Sequence, residues 1–480
     1  MKLYPSSFFN AFETSAVERL LADYNLPLHI YFTARFRCNT EKFQSVLARH
    51  YPRSQICFAV KANPCIGAIR VAQAAGLGVD VVSQYELRAA LKTQIPGWQI
   101  ICNGNAKTND YIDLAVKSGA CIAADSESEL KLIDESAGRQ NRKAQVLLRI
   151  AGMPLAGLTS ADQSTASEWT KFGIPASQIS SIFDRVRAMR NIEILGLSAH
   201  IGTQICRPAG YEHLLEHLLA QLSDLIKNGM NLRVLDIGGG YPLNYLSEAE
   251  WTRFKSRLRL QLAGRLPTAE WVTWNGLPMG YEHLKNPQIE ETSDWLGKAY
   301  WSPQPGAAIL EHILTYVLSD GTMVKERLKQ LGEPLLIVEP GRALIGSTGI
   351  TLARAIGVKE VLGCPVVILD LGVVNHGTVL ISPDIYPVEV YPPKPNDAAI
   401  EAFIAGRLCF TGDMLSKVKI PLNRLPARGE VVILHQTGAY CADHFASNSC
   451  GFPRPAKIAI DEHNAIEIWR KAETFEDVFN

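Results

Sequence analysis

The 480-residue chain has no C-x-x-C pair among its ten cysteines, no run of 18 apolar residues, no excess of either charge and no low-complexity tract. Each absence excludes something. Scattered cysteines without zinc-ligand spacing give no metal centre, and read as reduced, mostly buried thiols. The most apolar stretch, "CPVVILDLGVV", is short and interrupted by Asp370, so no membrane span is expected. The amino-terminal "MKLYPSSFFNAFETSAVERL" has one early lysine and no continuous apolar core, and does not read as a secretory signal. Lys plus Arg and Asp plus Glu both number 48, which argues against a nucleic-acid partner and leaves self-association unopposed. A G-x-G-x-x-G turn followed by an acid is also missing, which removes a dinucleotide-binding dehydrogenase. The expectation is a cytoplasmic protein, long enough for two or more domains with real cores.

What is present is an alternation. Eight short apolar runs follow one another: "ICFAV" (56–60), "GVDVV" (78–82), "QIICN" (99–103), "CIAAD" (121–125), "VLLRI" (146–150), "LGLSA" (195–199), "VLDIG" (234–238) and "PLLIVE" (334–339). Between them lie amphipathic segments such as "IGAIRVAQAAG", "YELRAALKT", "NDYIDLAVKSG" and "SESELKLIDESAG". Glycine is expected to stop the first, third and fourth as a C-cap. Eight β units separated by helices favour a parallel (β/α)8 barrel of the TIM type over an open doubly wound sheet. About 90 residues separate the last two runs, far more than one helix needs. The Trp-, Tyr- and Pro-rich piece near 265–310 reads as an insertion, and "ILEHILTYVLSDGTMVKERLKQL" as the barrel helix after it. Beyond residue 345, "GITLARAIGVKEV", "PVVILDLG", "GEVVILHQTGAY" and "KIAID" are strand-like and read as an all-β domain. The expected organisation is a barrel over 36–345 and a β domain made of 1–35 and 346–480.

In such a barrel the active site lies at the C-terminal strand ends. Those ends carry Lys61, Ser83 with Glu86, Asn105 with Lys107, Asp125, Arg149, His200, Gly238 to Gly240, and Glu339 with Gly341 and Arg342. Taken singly, each has a bland reading. Lys61 is a snorkelling lysine, His200 a satisfied core histidine, the glycines a turn, and Cys409 a small buried hydrophobe. Together they form a set. A triple glycine lets an anion approach backbone N–H groups, and Arg342 adds a charge-assisted contact. A lysine can form a Schiff base, an imidazole can stack on a planar ring, and Glu339 can hold a ring nitrogen protonated. Those are the parts of a pyridoxal 5'-phosphate (PLP) site.

The ordered motifs "FAVKAN", "DVVSQYEL", "HIGTQI", "DIGGGYP", "EPGR", "CFTGD" and "GAY" resemble the signature set of the alanine-racemase-fold (fold type III) decarboxylases. That group contains the diaminopimelate, ornithine and arginine decarboxylases, and the resemblance runs from about residue 28 to 460. It implies that Lys61 is the Schiff-base lysine, that His200 stacks on the ring and that Arg149 sits near the cofactor. Gly238, Gly239, Gly240, Gly341, Arg342 and Tyr440 would bind the phosphate. Glu339 would pair with the pyridine nitrogen, deepening the electron sink that receives the carbanion when CO2 leaves. Racemases of this fold place an arginine there, so Glu339 favours decarboxylation. Cys409 would protonate the α-carbon, and Cys409 and Asp413 would reach the partner's site in a head-to-tail homodimer.

The substrate-reading positions depart from the family. Phe410 stands where diaminopimelate and ornithine enzymes carry a carboxylate for the distal amine. After the strand ending in Asp370, "VVNHGTVL" supplies Asn375 and His376 but no arginine to clamp a distal carboxylate. Phe410, Asp413 and Asp370 are therefore the candidate substrate residues, and meso-diaminopimelate is disfavoured. The loop ending in "TKFG" carries Trp169 in a middle longer on small polar residues. The expected activity is decarboxylation of an amino acid or an amino-acid conjugate, of the kind that siderophore-pathway members of the group accept. The alternatives are an amino-acid racemase, which would exchange the α-proton in D2O without CO2 release, and a non-catalytic PLP-binding protein, against which "CFTGD" and "GAY" count.

Overall fold

The structure is a computed structural model that describes residues 14–155, 164–186, 188–279, 299–376 and 385–479. The chain divides into two compact units, one of residues 36–243 and 302–344, the other of 1–35, 244–301 and 345–480.

The first unit is a closed parallel barrel. Its eight strands are Ser54–Ala59, Gly78–Val81, Ile100–Cys102, Cys121–Ala124, Ala144–Ala151, Ile192–Ser198, Val234–Asp236 and Leu335–Val338. Each pairs with the next, and the eighth returns to the first through Leu336↔Ser54 and Val338↔Ile56. The eight apolar runs are these strands. Cys57, Ile101, Ala123, Leu147, Leu195, Val234 and Ile337 form one packed layer inside. That layer makes the barrel a core and confines chemistry to the loops at its ends. Several of those loops close on an N-cap just past a strand. Ser83, Thr108 and Ser126 accept from the N–H of Glu86, Tyr111 and Glu129, each satisfying one orphan donor of a helix start.

Two local expectations differ from the structure. Gly119 is a left-handed C-cap (φ 73°), but Gly138 lies inside the helix Glu127–Arg139. A Cβ on Gly138 would stand 2.9 Å from Asn191 Nδ2, so this glycine serves close packing, and the left-handed turn falls at Asn141 (φ 51°). The segment 309–331 is also two helices, Ala307–Thr315 and Val324–Gln330, rather than one. Between them the Ser-Asp-Gly turn, with Gly321 at φ 85°, folds the chain back so that Val317 bridges Met323.

The second unit is built on one nine-stranded sheet. The long strand Gly349–Val361 pairs antiparallel with Leu28–Phe32, Cys364–Leu369 and Val431–His435. Leu28–Phe32 runs parallel to Ala456–Ile460 on its other edge. The segment 244–301 packs inside this unit: Lys419 N–H donates to Val272 O at 2.8 Å, Arg257 pairs with Glu401, and Trp274 meets Phe403 edge-on. Its residues 280–298, part of the piece read as an insertion, lie outside the described residues. None of the ten cysteines, all among the described residues, is in a disulfide, and seven are buried. No helix among the described residues is long and apolar enough to cross a membrane.

Candidate active site

The mouth of the barrel gathers charges that an apolar interior would expel unless they were paired. Lys61 sits on a single 3-10 turn, Val60–Ala62, just past the first strand. Its Nζ is ion-paired with Oδ2 of Asp80, a fully buried residue of the second strand. Asp80 Oδ1 accepts from Asn103 Nδ2 at 2.8 Å, and the same amide nitrogen donates to Glu339 Oε1 at 2.7 Å. One carboxamide therefore ties the carboxylate beneath the lysine to the one at the eighth strand end.

Glu339 is 3% exposed and hydrogen-bonded to Asp236, which is fully buried. Asp236 also accepts from Gly238 N–H at 2.8 Å and Ser198 Oγ at 3.3 Å. Burial first, then the charges of Asp236 and Asp80, push the Glu339 carboxyl well above its ordinary range, with Lys61 opposing. Asp236 is raised as well, again by burial. As a coupled pair they favour the protonated form, on Glu339 more than on Asp236.

His200 follows the sixth strand. Its Nδ1 accepts the Gly239 N–H at 2.9 Å and lies 3.9 Å from Glu339 Oε2. Burial, then the Lys61 and Arg149 charges, hold the imidazole well below its usual pKa. It is neutral, with Nδ1 committed and its ring plane fixed. The glycine run is sterically required: Gly238 and Gly240 have φ of 67° and 97°, and a Cβ on Gly239 would stand 2.4 Å from Glu339 O.

Arg149 is buried in the fifth strand, its guanidinium 4.5 Å from the Phe172 ring and 3.8 Å from Asp125 Oδ1. Its Nε and Asp125 Oδ1 are buried and have no hydrogen-bond partner, so the pair keeps unmet capacity. Asp125 Oδ2 accepts Gly173 N–H at 2.9 Å, and Thr165 Oγ1 donates to His200 O at 2.6 Å. The strap 164–173 thus stands on Arg149, Asp125 and His200, while Trp169 on it is 98% exposed. Lys107 is a structural lysine whose Nζ is spent on Glu129 and two carbonyls. Glu86, which accepts Val82 N–H at 2.8 Å, is pushed up to about 7 by burial. Buried Arg342 opens a four-residue helix, with Gly341 before it.

The structure thus brings Lys61, His200 and Glu339 into one connected cluster with Gly238 and Gly239, and sets Arg149 with Asp125 under the strap. The other candidates belong to the β unit. Tyr440 has a left-handed backbone (φ 63°) and meets His444 edge-on. Cys409 is exposed, so the buried-hydrophobe reading of it fails, and Phe410 is 56% exposed. Asp413 is buried and its oxygens accept from Val373 N–H at 2.7 Å and Leu408 N–H at 2.6 Å. One oxygen closes its own loop at Leu408, and the other ties that loop to Val373, just past the strand Cys364–Leu369. Asp370 Oδ1 accepts Arg354 N–H at 2.7 Å, and burial raises its pKa against the pull of Arg407 and Arg354. Asn375 and His376 are buried, His376 against Tyr386.

Sequence reasoning passed over Asp80, Asn103 and Asp236. The signal was present: an aspartate inside "GVDVV" and another inside "VLDIG" are charges in runs that should be apolar.

This donor set fits PLP on its own geometry. It offers a primary amine, a neutral ring with a fixed plane, a buried acid holding a proton, and a glycine backbone too tight for side chains. Among known families, the model of the pyridoxal-dependent decarboxylase, pyridoxal-binding domain, matches residues 36–266. A diaminopimelate decarboxylase of Pseudomonas aeruginosa is 25% identical over 472 residues, covering 97% of this chain and 95% of that protein. The crystal structure of a diaminopimelate decarboxylase from M. jannaschii with L-lysine superposes with a TM-score of 0.75 at 21% identity, over 96% of this chain and 93% of that one. A lysine/ornithine decarboxylase from Vibrio vulnificus with putrescine gives 0.65 at 20% identity, over 93% and 97%.

Proposed function

We propose, for a chain that carries the pyridoxal-binding domain of the pyridoxal-dependent decarboxylases at residues 36–266 and resembles the fold type III group along its length, that it removes the α-carboxylate of an amino acid or an amino-acid conjugate as CO2. The observation that carries this reading is the Lys61–Asp80–Asn103–Glu339 chain, which joins an amine to a protonated buried acid across one barrel mouth.

PLP, when bound, supplies an aldehyde that captures the substrate amine and a ring that accepts the electron pair of the breaking Cα–carboxylate bond. The protein's residues do the rest. Lys61 is the anchoring amine, and Asp80 receives it as an ammonium when the substrate displaces it. Glu339 would give its proton to the ring nitrogen and, as a carboxylate, hold it there by charge, with Asn103 and Asp236 fixing its orientation. His200 offers a neutral face, since a charged imidazole would oppose the positive ring. Gly238, Gly239, Gly240, Gly341, Arg342 and Tyr440 take the phosphate. One proton then replaces the lost carboxylate at the α-carbon, with the Cys409 thiol as its donor.

The substrate's distal end is not read by a carboxylate on the "CFTGD" loop. Phe410 replaces that carboxylate, and both Asp413 oxygens are committed to Val373 and Leu408. This supports a conjugate, or an amino acid without a distal ammonium, over meso-diaminopimelate. The working form is a homodimer in which exposed Cys409 and Phe410 serve the partner's site.

The test is CO2 release by PLP-loaded protein from lysine, ornithine, arginine, meso-diaminopimelate and citryl-type conjugates, with Lys61→Ala as control. We expect a visible PLP band that Lys61→Ala abolishes, and release from a conjugate in preference to meso-diaminopimelate. PLP binding with no CO2 from any substrate would sink the reading. Exchange of the α-proton in D2O instead would make the protein a racemase.

A further inference from the structure

The glycine run Gly238–Gly240 carries three backbone donors, and two of them are spent inside the protein. Gly238 N–H donates to Asp236 Oδ1 at 2.8 Å, and Gly239 N–H to His200 Nδ1 at 2.9 Å. The Gly238 carbonyl is taken as well, by Glu339 N–H at 2.8 Å. Only the Gly240 N–H has no partner among the described residues. An anion met by this run is therefore met by one donor, and whatever aims that donor decides how well the anion is held.

The aim is set by the peptide that carries it. In a planar trans peptide the Gly239 C=O and the Gly240 N–H point to opposite sides. Gly239 O accepts from Tyr211 Oη at 3.0 Å, so the Gly240 N–H is turned away from Tyr211. Gly240 has a φ of 97°, and a Cβ on it would stand 2.8 Å from both Tyr211 Oη and Gly202 O. The approach of the hydroxyl is thus close enough to demand glycine.

Tyr211 is itself held. It lies in the first turn of the helix Pro208–Lys227 and is 1% exposed. Its ring stacks on Tyr241 at 5.9 Å, and Tyr241 meets Phe43 edge-on at 5.2 Å. Burial pushes the Tyr211 phenol well above its ordinary pKa, so it stays a donor. The loop leading to it grips the chain beyond the glycines. Ile205 N–H donates to Gly240 O at 2.9 Å. The Gln204 carboxamide donates to Leu243 O at 2.7 Å and accepts from Leu243 N–H at 3.0 Å. Of these contacts, the Tyr211 hydrogen bond is the one that acts on the peptide bearing the unspent N–H.

We propose that Tyr211 is a positioning residue for the cofactor: by holding the Gly239 carbonyl it aims the Gly240 N–H at the phosphate. Gly238 and Gly239 then serve by leaving room and by orienting Asp236 and His200. This rests on the reading of the glycine run as the phosphate's cradle. It adds a residue, acting through a neighbouring peptide, on which the phosphate's share of cofactor binding depends.

The experiment titrates the full-length apo-protein with PLP and with 5-deoxypyridoxal, which keeps the aldehyde and the ring but has no phosphate, read by absorbance. Tyr211→Phe keeps the stacked ring and removes the hydroxyl. It should weaken PLP binding roughly tenfold, the lower end of the worth of a hydrogen bond to a charged group, and leave 5-deoxypyridoxal within about twofold of the parent. Tyr241→Phe is the control. Its buried hydroxyl has no hydrogen-bond partner among the described residues, so both affinities should stay parental. If Tyr211→Phe fails to fold, the parent labelled with 15N-glycine decides. Inorganic phosphate should move the Gly240 amide proton downfield and leave those of Gly238 and Gly239 in place. A loss for 5-deoxypyridoxal that matches the loss for PLP, no loss for either, or an amide shift absent from Gly240 would overturn the inference. A parent that binds PLP no more tightly than 5-deoxypyridoxal is a different result: it removes the phosphate reading of the run and this inference with it, while leaving the Lys61 chemistry intact.

Discussion

Glu339→Gln probes the acid cluster from two directions. In the apo-protein the Glu339–Asp236 pair keeps a proton that the unfolded chain releases near the ordinary glutamate pKa of about 4.3. The folded pKa is raised, so the contribution to stability is full below that pH and is lost as pH rises toward the folded value. The loss runs at about 1.4 kcal/mol per pH unit while the fold retains the proton. Glutamine needs no proton to satisfy the site: its oxygen accepts from Asn103 and its amide donates to Asp236. Over each pH unit in which the fold retains the proton, the parent should therefore give up about 1.4 kcal/mol that the variant keeps. Since ~1 kcal/mol moves the melting temperature by about 2–4 °C in a domain of 150–250 residues, the variant should gain about 3–6 °C on the parent for each such pH unit.

The holoenzyme should respond in the opposite sense. A glutamine carries no charge to hold the ring nitrogen protonated. Two unit charges about 4 Å apart are worth about 4 kcal/mol at an effective dielectric of ~20, which is roughly three orders of magnitude in kcat. PLP should stay bound, because Lys61 and the phosphate contacts tether it. Calorimetry of the apo-proteins at several pH values checks the first part, and turnover of the loaded enzymes the second. Melting curves that run parallel with pH would refute the retained-proton argument. Undiminished turnover would refute the electron-sink role of Glu339.

Gly239→Ala places a methyl group 2.4 Å from Glu339 O and 3.2 Å from His200 Cε1. Overpacking of this kind costs about 1–3 kcal/mol, so the variant should melt earlier and bind PLP more weakly, and unchanged titration and melting would make the glycine a plain turn residue. Cys409→Ala removes an exposed thiol, so stability should change by no more than about 0.5 kcal/mol. Product analysis should nonetheless show slower or misdirected protonation at the α-carbon, and parental rate and products would show that the thiol is not the acid.

The barrel was legible because its signal is periodic. Eight apolar runs alternate with amphipathic segments, and each run is long enough to be a buried strand and too short to be a helix. Single glycines were less legible. Gly119 and Gly138 look alike in sequence, but only Gly119 ends a helix; Gly138 makes room for Asn191, a neighbour that sequence spacing does not reveal. The break at Tyr316–Met323 lay in view as Ser-Asp-Gly, and was masked by apolar residues on both sides that keep a helical period.

The site divides along the same line. Residues at strand ends were found because the barrel says where to look. Asp80, Asn103 and Asp236 were passed over because they lie within strand runs, where a polar residue is read as noise in an apolar pattern. Physically they are the opposite of noise. An aspartate with no exposed surface is tolerated only where a partner repays its desolvation. Here Asp80 has Lys61 and Asn103, and Asp236 has Glu339, Ser198 and the Gly238 N–H. The converse holds at Asp413. It lies in a motif where a carboxylate is expected to face a substrate, and its oxygens accept one backbone N–H from Leu408 of its own loop and one from Val373 past the strand Cys364–Leu369. A motif gives the residue type at a position. Whether that residue's hydrogen-bonding capacity is free for a ligand is settled by its neighbours, and for Asp413 they leave Phe410 and Cys409 as the outward-facing chemistry of the loop.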